Sequence, residues 1–185
     1  MDINTAIMQR RTIRRFKQDP VSQEVLCELV RLSRLYASGG NLQPIRYTVT
    51  ANKDLLDDVF ATLRWAAYLP EFTISENERP AAYVVLTSDA KRNCQFDVGA
   101  AATTLMLAAE GKGLGTCCLG SFDKSQLVRI LDIPAEQEPL LVIALGYPAQ
   151  CSQAVDMIDD VKYYENEAGC LCVPKRTVGE ILRIC

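Results

Sequence analysis

Histidine is absent from all 185 residues, and tryptophan occurs once. The lack of histidine excludes a Ser-His-Asp triad, a Cys-His pair and every metal ligand set that contains imidazole. Acid–base work would fall to carboxylates, Lys, Tyr or solvent, so chemistry carried by a cofactor suits this chain better than hydrolysis. No uncharged apolar run exceeds the stretch from Val98 to Ala109, well short of the ~20 residues of a membrane span. The start, Met1-Asp2 with Arg10 and Arg11 soon after, has no apolar signal core. No Walker A sequence and no internal repeat occur.

The net charge is −3, with half the residues apolar and a quarter charged. That is ordinary globular composition, and the acidic balance disfavours a nucleic-acid binder. Eight cysteines are many, but Cys117 and Cys118 are adjacent, Cys170 and Cys172 stand one residue apart, and the rest are scattered. This is not a metal spacing, and no metal is expected. The cysteines read as small buried hydrophobes in a reducing cytosol, with no need for a disulfide staple. The expectation is a cytoplasmic protein of one domain spanning residues 1–185, with no membrane partner.

Helix-like and strand-like stretches alternate. Asp2 predicts a helix to about Arg10, and Ser22 caps a second that ends before Ala37-Ser38-Gly39-Gly40-Asn41-Leu42-Gln43-Pro44. Tyr47–Ala51, Ala81–Thr87 and Pro139–Gly146 read as strands and Gly113–Leu119 as a turn into a short strand; Lys53–Leu63, Gln95–Lys112 and a segment capped by Asp123 read as helices. The small residues Gly99 to Ala102 predict that the Gln95–Lys112 helix lies at the centre of the fold or of a dimer. Residues 150–176 are polar and poorly periodic, like a connecting arm. Thr177-Val178-Gly179-Glu180 is a capping box opening a terminal helix.

Four segments could carry chemistry. In Arg10-Arg11-Thr12-Ile13-Arg14-Arg15, four guanidiniums fall within six residues of an acidic chain. If helical, Arg10 and Arg14 share one face, and a bound phosphate would relieve their repulsion through forked hydrogen bonds; a solvated basic helix end is the other reading. The Ser38–Pro44 loop offers amides and backbone N–H groups to a planar ligand, or is a plain connection. Gly113-Leu114-Gly115-Thr116-Cys117-Cys118-Leu119-Gly120-Ser121 lacks the dinucleotide fingerprint. Its paired cysteines are reactive or merely packed. Lys175-Arg176 either adds charge to the same anion or is a solvated pair.

Together, in this order, these segments resemble the FMN-dependent nitroreductase family. Arg-Arg-Thr-Ile-Arg-Arg-Phe is similar to its Arg-Arg-Ser-x-Arg-x-Phe opening, and Ser38 to Pro44 to its Ser-x-x-Asn-x-Gln-Pro loop. Gly113 to Cys117 is similar to its Gly-Leu-Gly-x-Cys segment, Ala144 to Pro148 to its Gly-Tyr-Pro strand end, and Lys175-Arg176 to its late basic pair.

The resemblance implies an α+β fold, a central and mainly antiparallel sheet flanked by helices. It implies a C-terminal arm, residues 150–185, exchanged in a homodimer with FMN at the interface. Arg10, Arg11 and Thr12 would hold the FMN phosphate, closed over by Lys175 and Arg176, with Arg14 near the pyrimidine edge. Ala37, Ser38, Gly39, Asn41 and Gln43 would come from the other subunit, and Cys118, Leu119, Gly120 and Ser121 would run along the ring. No side chain need be catalytic: NADH or NADPH would reduce the flavin at N5, and a nitroaromatic, quinone or similar small-molecule acceptor would take the electrons in a ping-pong cycle. Ile45 and Cys118 stand where the family often has Trp, which bears on the acceptor. Arg64, Trp65 and Tyr68 either line the pocket or pack a helix end. Dehalogenation, flavin fragmentation, or flavin storage and redox sensing without turnover are the alternatives. Arg10→Ala is expected to cost more flavin than Arg92→Ala.

Overall fold

The computed structural model describes residues 1–69, 71–89 and 93–185; Arg92 lies outside them. Six α-helices and seven strands follow in chain order: α1 (Ile3–Gln9), α2 (Gln23–Ser33), β1 (Ile45–Thr50), α3 (Lys53–Thr62), β2 (Ala82–Ser88), α4 (Gln95–Glu110), β3 (Gly115–Leu119), α5 (Lys124–Ile130), β4 (Glu138–Gly146), β5 (Ser152–Asp156), β6 (Tyr164–Glu165), β7 (Leu171–Lys175) and α6 (Val178–Ile181). The helix starts expected from Asp2, Ser22 and Asp123 carry side-chain caps, and Thr177 with Glu180 forms the capping box.

Strands β1, β2, β4 and β3 lie in that order in one antiparallel sheet. Strand β2 is buried throughout, and its alternate residues supply two cores. Val84 and Leu86 pack with Leu26, Leu29, Ala101 and Leu105 of α2 and α4. Tyr83 and Val85 face Val59 and Leu127 of α3 and α5. The result is helices on both faces of a mainly antiparallel sheet, the α+β fold the sequence implied.

The small residues of α4 let α2 approach closely, and the Ser33 hydroxyl donates to the Ala101 carbonyl at 2.8 Å. Gly99 differs from its neighbours: a Cβ there would meet nothing within 4 Å. Its missing side chain serves no contact within the chain.

The first helix ends at Arg10, as expected, and residues 10–16, whose conformation the sequence left open, are not helical. Arg10 ends α1 with φ −55°, ψ 121°, and the chain runs on extended, bridging Thr12 to Thr116 and Phe16 to Pro148. The repulsion of four arginines and the β-branched Thr12 and Ile13 both disfavour helix here. The polar segment after Pro148 is not structureless: β5 and β6 flank β7 in a small mixed sheet. Within it, Cys151 and Cys170 form a disulfide, which corrects the expectation of buried thiols with no disulfide staple. Nor are the remaining cysteines uniformly buried: Cys94, Cys117 and Cys172 are, while Cys27, Cys118 and Cys185 are exposed.

Candidate functional site

Two glycines explain how the arginine segment is seated. A Cβ on Gly115 would stand 2.7 Å from Ile13 Cγ1 and 2.8 Å from its Cβ; one on Gly146 would stand 3.1 Å from the Phe16 ring. The glycines of β3 and β4 thus let residues 13 and 16 press against the sheet edge. The Ile13 N–H donates to the Thr116 carbonyl at 2.9 Å, locking the register. With Ile13 and Phe16 turned into the core, the arginines between and before them collect alongside edge strand β3.

Each arginine is held differently. Arg10 Nη1 reaches Met106 Sδ of α4 at 3.8 Å, and Cys118 Sγ meets the same sulfur at 3.3 Å. Arg11 donates to the carbonyls of Met8 and Arg10, capping the open end of α1; its Nε is buried without a partner. Arg14 is only 8% exposed, its backbone N–H donates to Gln150 Oε1 at 2.9 Å, and its Nε and Nη1 have no partner. Gln150 Nε2 and Thr116 Oγ1 are buried without partners as well. A buried cation with free donors is costly unless something answers it. This set, rich in donors, fits an anion or the carbonyl edge of a heterocycle.

One acid lies nearby. Burial pushes the Glu110 carboxyl up, against the pull of Arg10 and then Arg11. The adjacent thiols are also raised. Burial takes Cys117 to about 12 against the opposing Arg14, and Cys118 to about 11 against Arg10. Neither is a ready nucleophile: Cys117 packs in the core, and Cys118 is an exposed residue whose sulfur rests against Met106.

The end of β3 joins this patch to the expected pocket residues. Arg64 N–H donates to the Ser121 carbonyl at 3.0 Å, and Leu63 bridges Phe122. Trp65 stacks on Phe60 at 5.4 Å with its indole N–H buried and unpartnered. Tyr68 packs on Tyr163 at 5.1 Å, and Tyr163 lies over the Arg14 guanidinium at 4.4 Å. Sequence reasoning missed Tyr163 and Gln150 because they lie in the segment it read as an arm.

The Ser38–Gln43 loop is built elsewhere. Buried Asp97, in the first turn of α4, accepts from Ser38 Oγ at 2.6 Å, and that hydroxyl accepts from Gln43 N–H at 2.9 Å. Gly40, Asn41 and Gln43 take positive φ, which suits Gly and Asn and is unusual for Gln. Ala37 and Gly39 are exposed. Asp97 and Glu110 stand at opposite ends of α4, about 20 Å apart at 1.5 Å per residue. Within one chain this loop and the arginine patch are therefore separate. Lys175 pairs with Asp156 through the β5–β7 ladder, and Arg176 pairs with Glu180 at 3.7 Å.

An open groove lies between α2 and β1, lined by Leu26, Cys27, Val30, Tyr47 and Val49. It contains none of these groups. Among the described residues no cluster of His, Cys, Asp or Glu could hold a metal, and no helix is long and apolar enough to cross a membrane.

Fold and patch together define an α+β protein with a cluster of buried, unpartnered arginine donors along the edge of a central antiparallel sheet. The chain belongs to the Nitroreductase family, whose model matches residues 7–147. It is 28% identical to an NADH dehydrogenase of Thermus thermophilus, over 81% of this chain and 88% of that protein. It is 26% identical to a 5,6-dimethylbenzimidazole synthase of Rhodospirillum rubrum, over 76% and 79%. Its fold superposes with TM-score 0.65 on a nitroreductase-type protein of Desulfovibrio desulfuricans solved in complex with FMN. That match is 28% identical and covers 81% of this chain and 88% of the other.

Proposed function

We propose that this protein is an FMN-dependent oxidoreductase that takes reducing equivalents from NADH or NADPH and passes them to nitroaromatic, quinone or similar acceptors. The observation that carries the reading is the set of buried, unpartnered donors on Arg11 and Arg14 alongside β3. Arg10, Arg11 and Thr12 hold the phosphate, and Arg14 places a cation near the flavin ring. FMN, when bound, would supply the redox chemistry between nicotinamide and acceptor. The residues of the chain bind, orient and shield. Cys118, Leu119, Gly120 and Ser121 offer backbone along the ring, and Arg64, Trp65 and Tyr68 wall the acceptor side.

The active form is a homodimer. The Ser38–Gln43 loop and the arginine patch lie at opposite ends of α4, so one site containing both draws the loop from a second copy. Exposed Ile3, Ile7 and Met8 on α1, and Val178, Ile181 and Leu182 at the C-terminus, are apolar surface that such contact would cover. Lys175 and Arg176 then close over the phosphate from the exchanged segment.

Steady-state oxidation of NADH and NADPH against a quinone tests the reading. Parallel double-reciprocal lines are the ping-pong outcome it requires; intersecting lines contradict it. The relative that is a 5,6-dimethylbenzimidazole synthase supports one other reading, a flavoprotein of different chemistry. Slow nicotinamide oxidation with every acceptor, by a protein that does hold FMN, would favour that reading.

A further inference from the structure

The C-terminal segment brings one side chain to the most deeply buried arginine of the site. Tyr163 immediately precedes β6, and its ring covers the Arg14 guanidinium with 4.4 Å between Cζ and the ring centroid. Three things fix it there. The Tyr68 N–H donates to its hydroxyl at 3.4 Å, and the Tyr68 ring tilts against it. Two residues on, Glu165 pairs with Arg15 at 3.3 Å. The Cys151–Cys170 disulfide joins the residues flanking β5 and β7, where the Leu171 N–H also donates to the Cys151 carbonyl at 3.0 Å.

The stacked ring uses the face of the guanidinium and leaves its edge. Arg14 Nε and Nη1 have no partner, while Gln150 fixes the Arg14 backbone. A cation held under an aromatic face is kept from water, and its attraction for a neighbouring negative charge is stronger for that. We propose that Tyr163 is a positioning residue for Arg14: its ring keeps the guanidinium dry and oriented, so that the cation favours reduced over oxidised FMN. This rests on the flavin reading above. It adds that redox tuning of the site depends on a segment outside residues 7–147, the part that matches the family model.

The test is the midpoint potential of bound FMN, with the dissociation constants of oxidised and reduced FMN, in the parent, Tyr163→Leu and Tyr163→Phe. Leucine fills much of the volume without a π face. Tyr163→Leu should lower the affinity ratio for reduced over oxidised FMN about tenfold, a drop of about 30 mV for a two-electron couple. Tyr163→Phe should restore the parent value, since the ring and not the hydroxyl faces Arg14; should the leucine variant fail to fold, Tyr163→Met replaces it. A parent that binds FMN with a potential unmoved by loss of the ring overturns the inference alone. So does tighter FMN binding on loss of the ring, which would mean that Tyr163 competes with the flavin. A parent that holds no FMN overturns the flavin reading, and this inference with it.

Discussion

At the scale of single residues, the decisive feature is that charge is spent unevenly. Arg15 is answered by Glu78 and Glu165, whereas Arg14 is buried with free donors. Charge-assisted hydrogen bonds contribute about 1.5–3 kcal/mol each. Arg10→Ala should therefore weaken FMN binding roughly 10- to 150-fold, read by flavin fluorescence titration, while Arg129→Ala on the exposed side of α5 should leave it unchanged. Equal losses in the two variants would count against the phosphate assignment. Cys118 gives a second residue-scale prediction. The residue is exposed, but its Sγ rests 3.3 Å from Met106 Sδ, and burial of the sulfur, opposed by Arg10, pushes the thiol up to about 11, so little thiolate forms near neutral pH. Iodoacetamide should modify it far more slowly than a free thiol in solution, and rapid labelling mapped to Cys118 by mass spectrometry would contradict this.

At the scale of elements, the glycines of β3 and β4 connect sequence motif to site. Gly115→Ala puts a methyl against Ile13 Cβ, an atom that cannot swing away. Overpacking of this kind costs about 1–3 kcal/mol, and here it should also displace the arginine segment. Thermal melting and FMN affinity should both fall; an unchanged melting temperature would show that the seat is looser than the contact implies. Helix α5 gives a pH signature. The Gln126 backbone N–H, with the Ser125 and Gln126 side chains, holds the Asp123 carboxyl down at about 2. A carboxyl lower in the folded than in the unfolded chain contributes stability above its ordinary value near 4, and that contribution is lost as pH falls toward 2. The melting-temperature difference between the parent and Asp123→Ala should be present at pH 6 and shrink between pH 4 and 2.

Helices and strands were legible where one physical signal dominated. Asp2, Ser22 and Asp123 sit at helix starts because a short oxygen-bearing side chain satisfies N–H groups that the helix leaves open, and β2 is apolar on both faces because it is covered on both. The conformation of the arginine segment stayed open because periodicity cannot tell four spaced charges on a helix from the same charges in an extended run. Its true conformation depends on Gly115 and Gly146, a hundred residues away. The small C-terminal sheet was illegible because its strands are short and mostly exposed, so no apolar alternation marks them. What orders it is a disulfide and the parallel β5–β7 pairing, both long-range.

At the scale of the whole molecule, the proposed site is divided. The two halves that the motifs predict stand at the two ends of α4, and dimerisation is the proposed way to unite them. Light scattering should report twice the chain mass; a monomer that nonetheless binds FMN would contradict the shared site. The disulfide makes a separable claim. It closes a loop across a separation of 19 residues, and loops of that size gain about 3 kcal/mol from closure in the chain-entropy description. Reduction by dithiothreitol should speed proteolysis within residues 151–176 while the main sheet keeps its melting temperature. Loss of both together would mean that the small sheet and the body fold as one unit.

The central claim is that this chain binds a flavin that a nicotinamide reduces. The visible absorption spectrum of the purified protein, reconstituted with FMN if colourless and recorded before and after anaerobic NADH or NADPH, tests it most directly. The account predicts a yellow protein that bleaches with one of the two. A protein that takes up no FMN, or one that stays yellow with both, would contradict it.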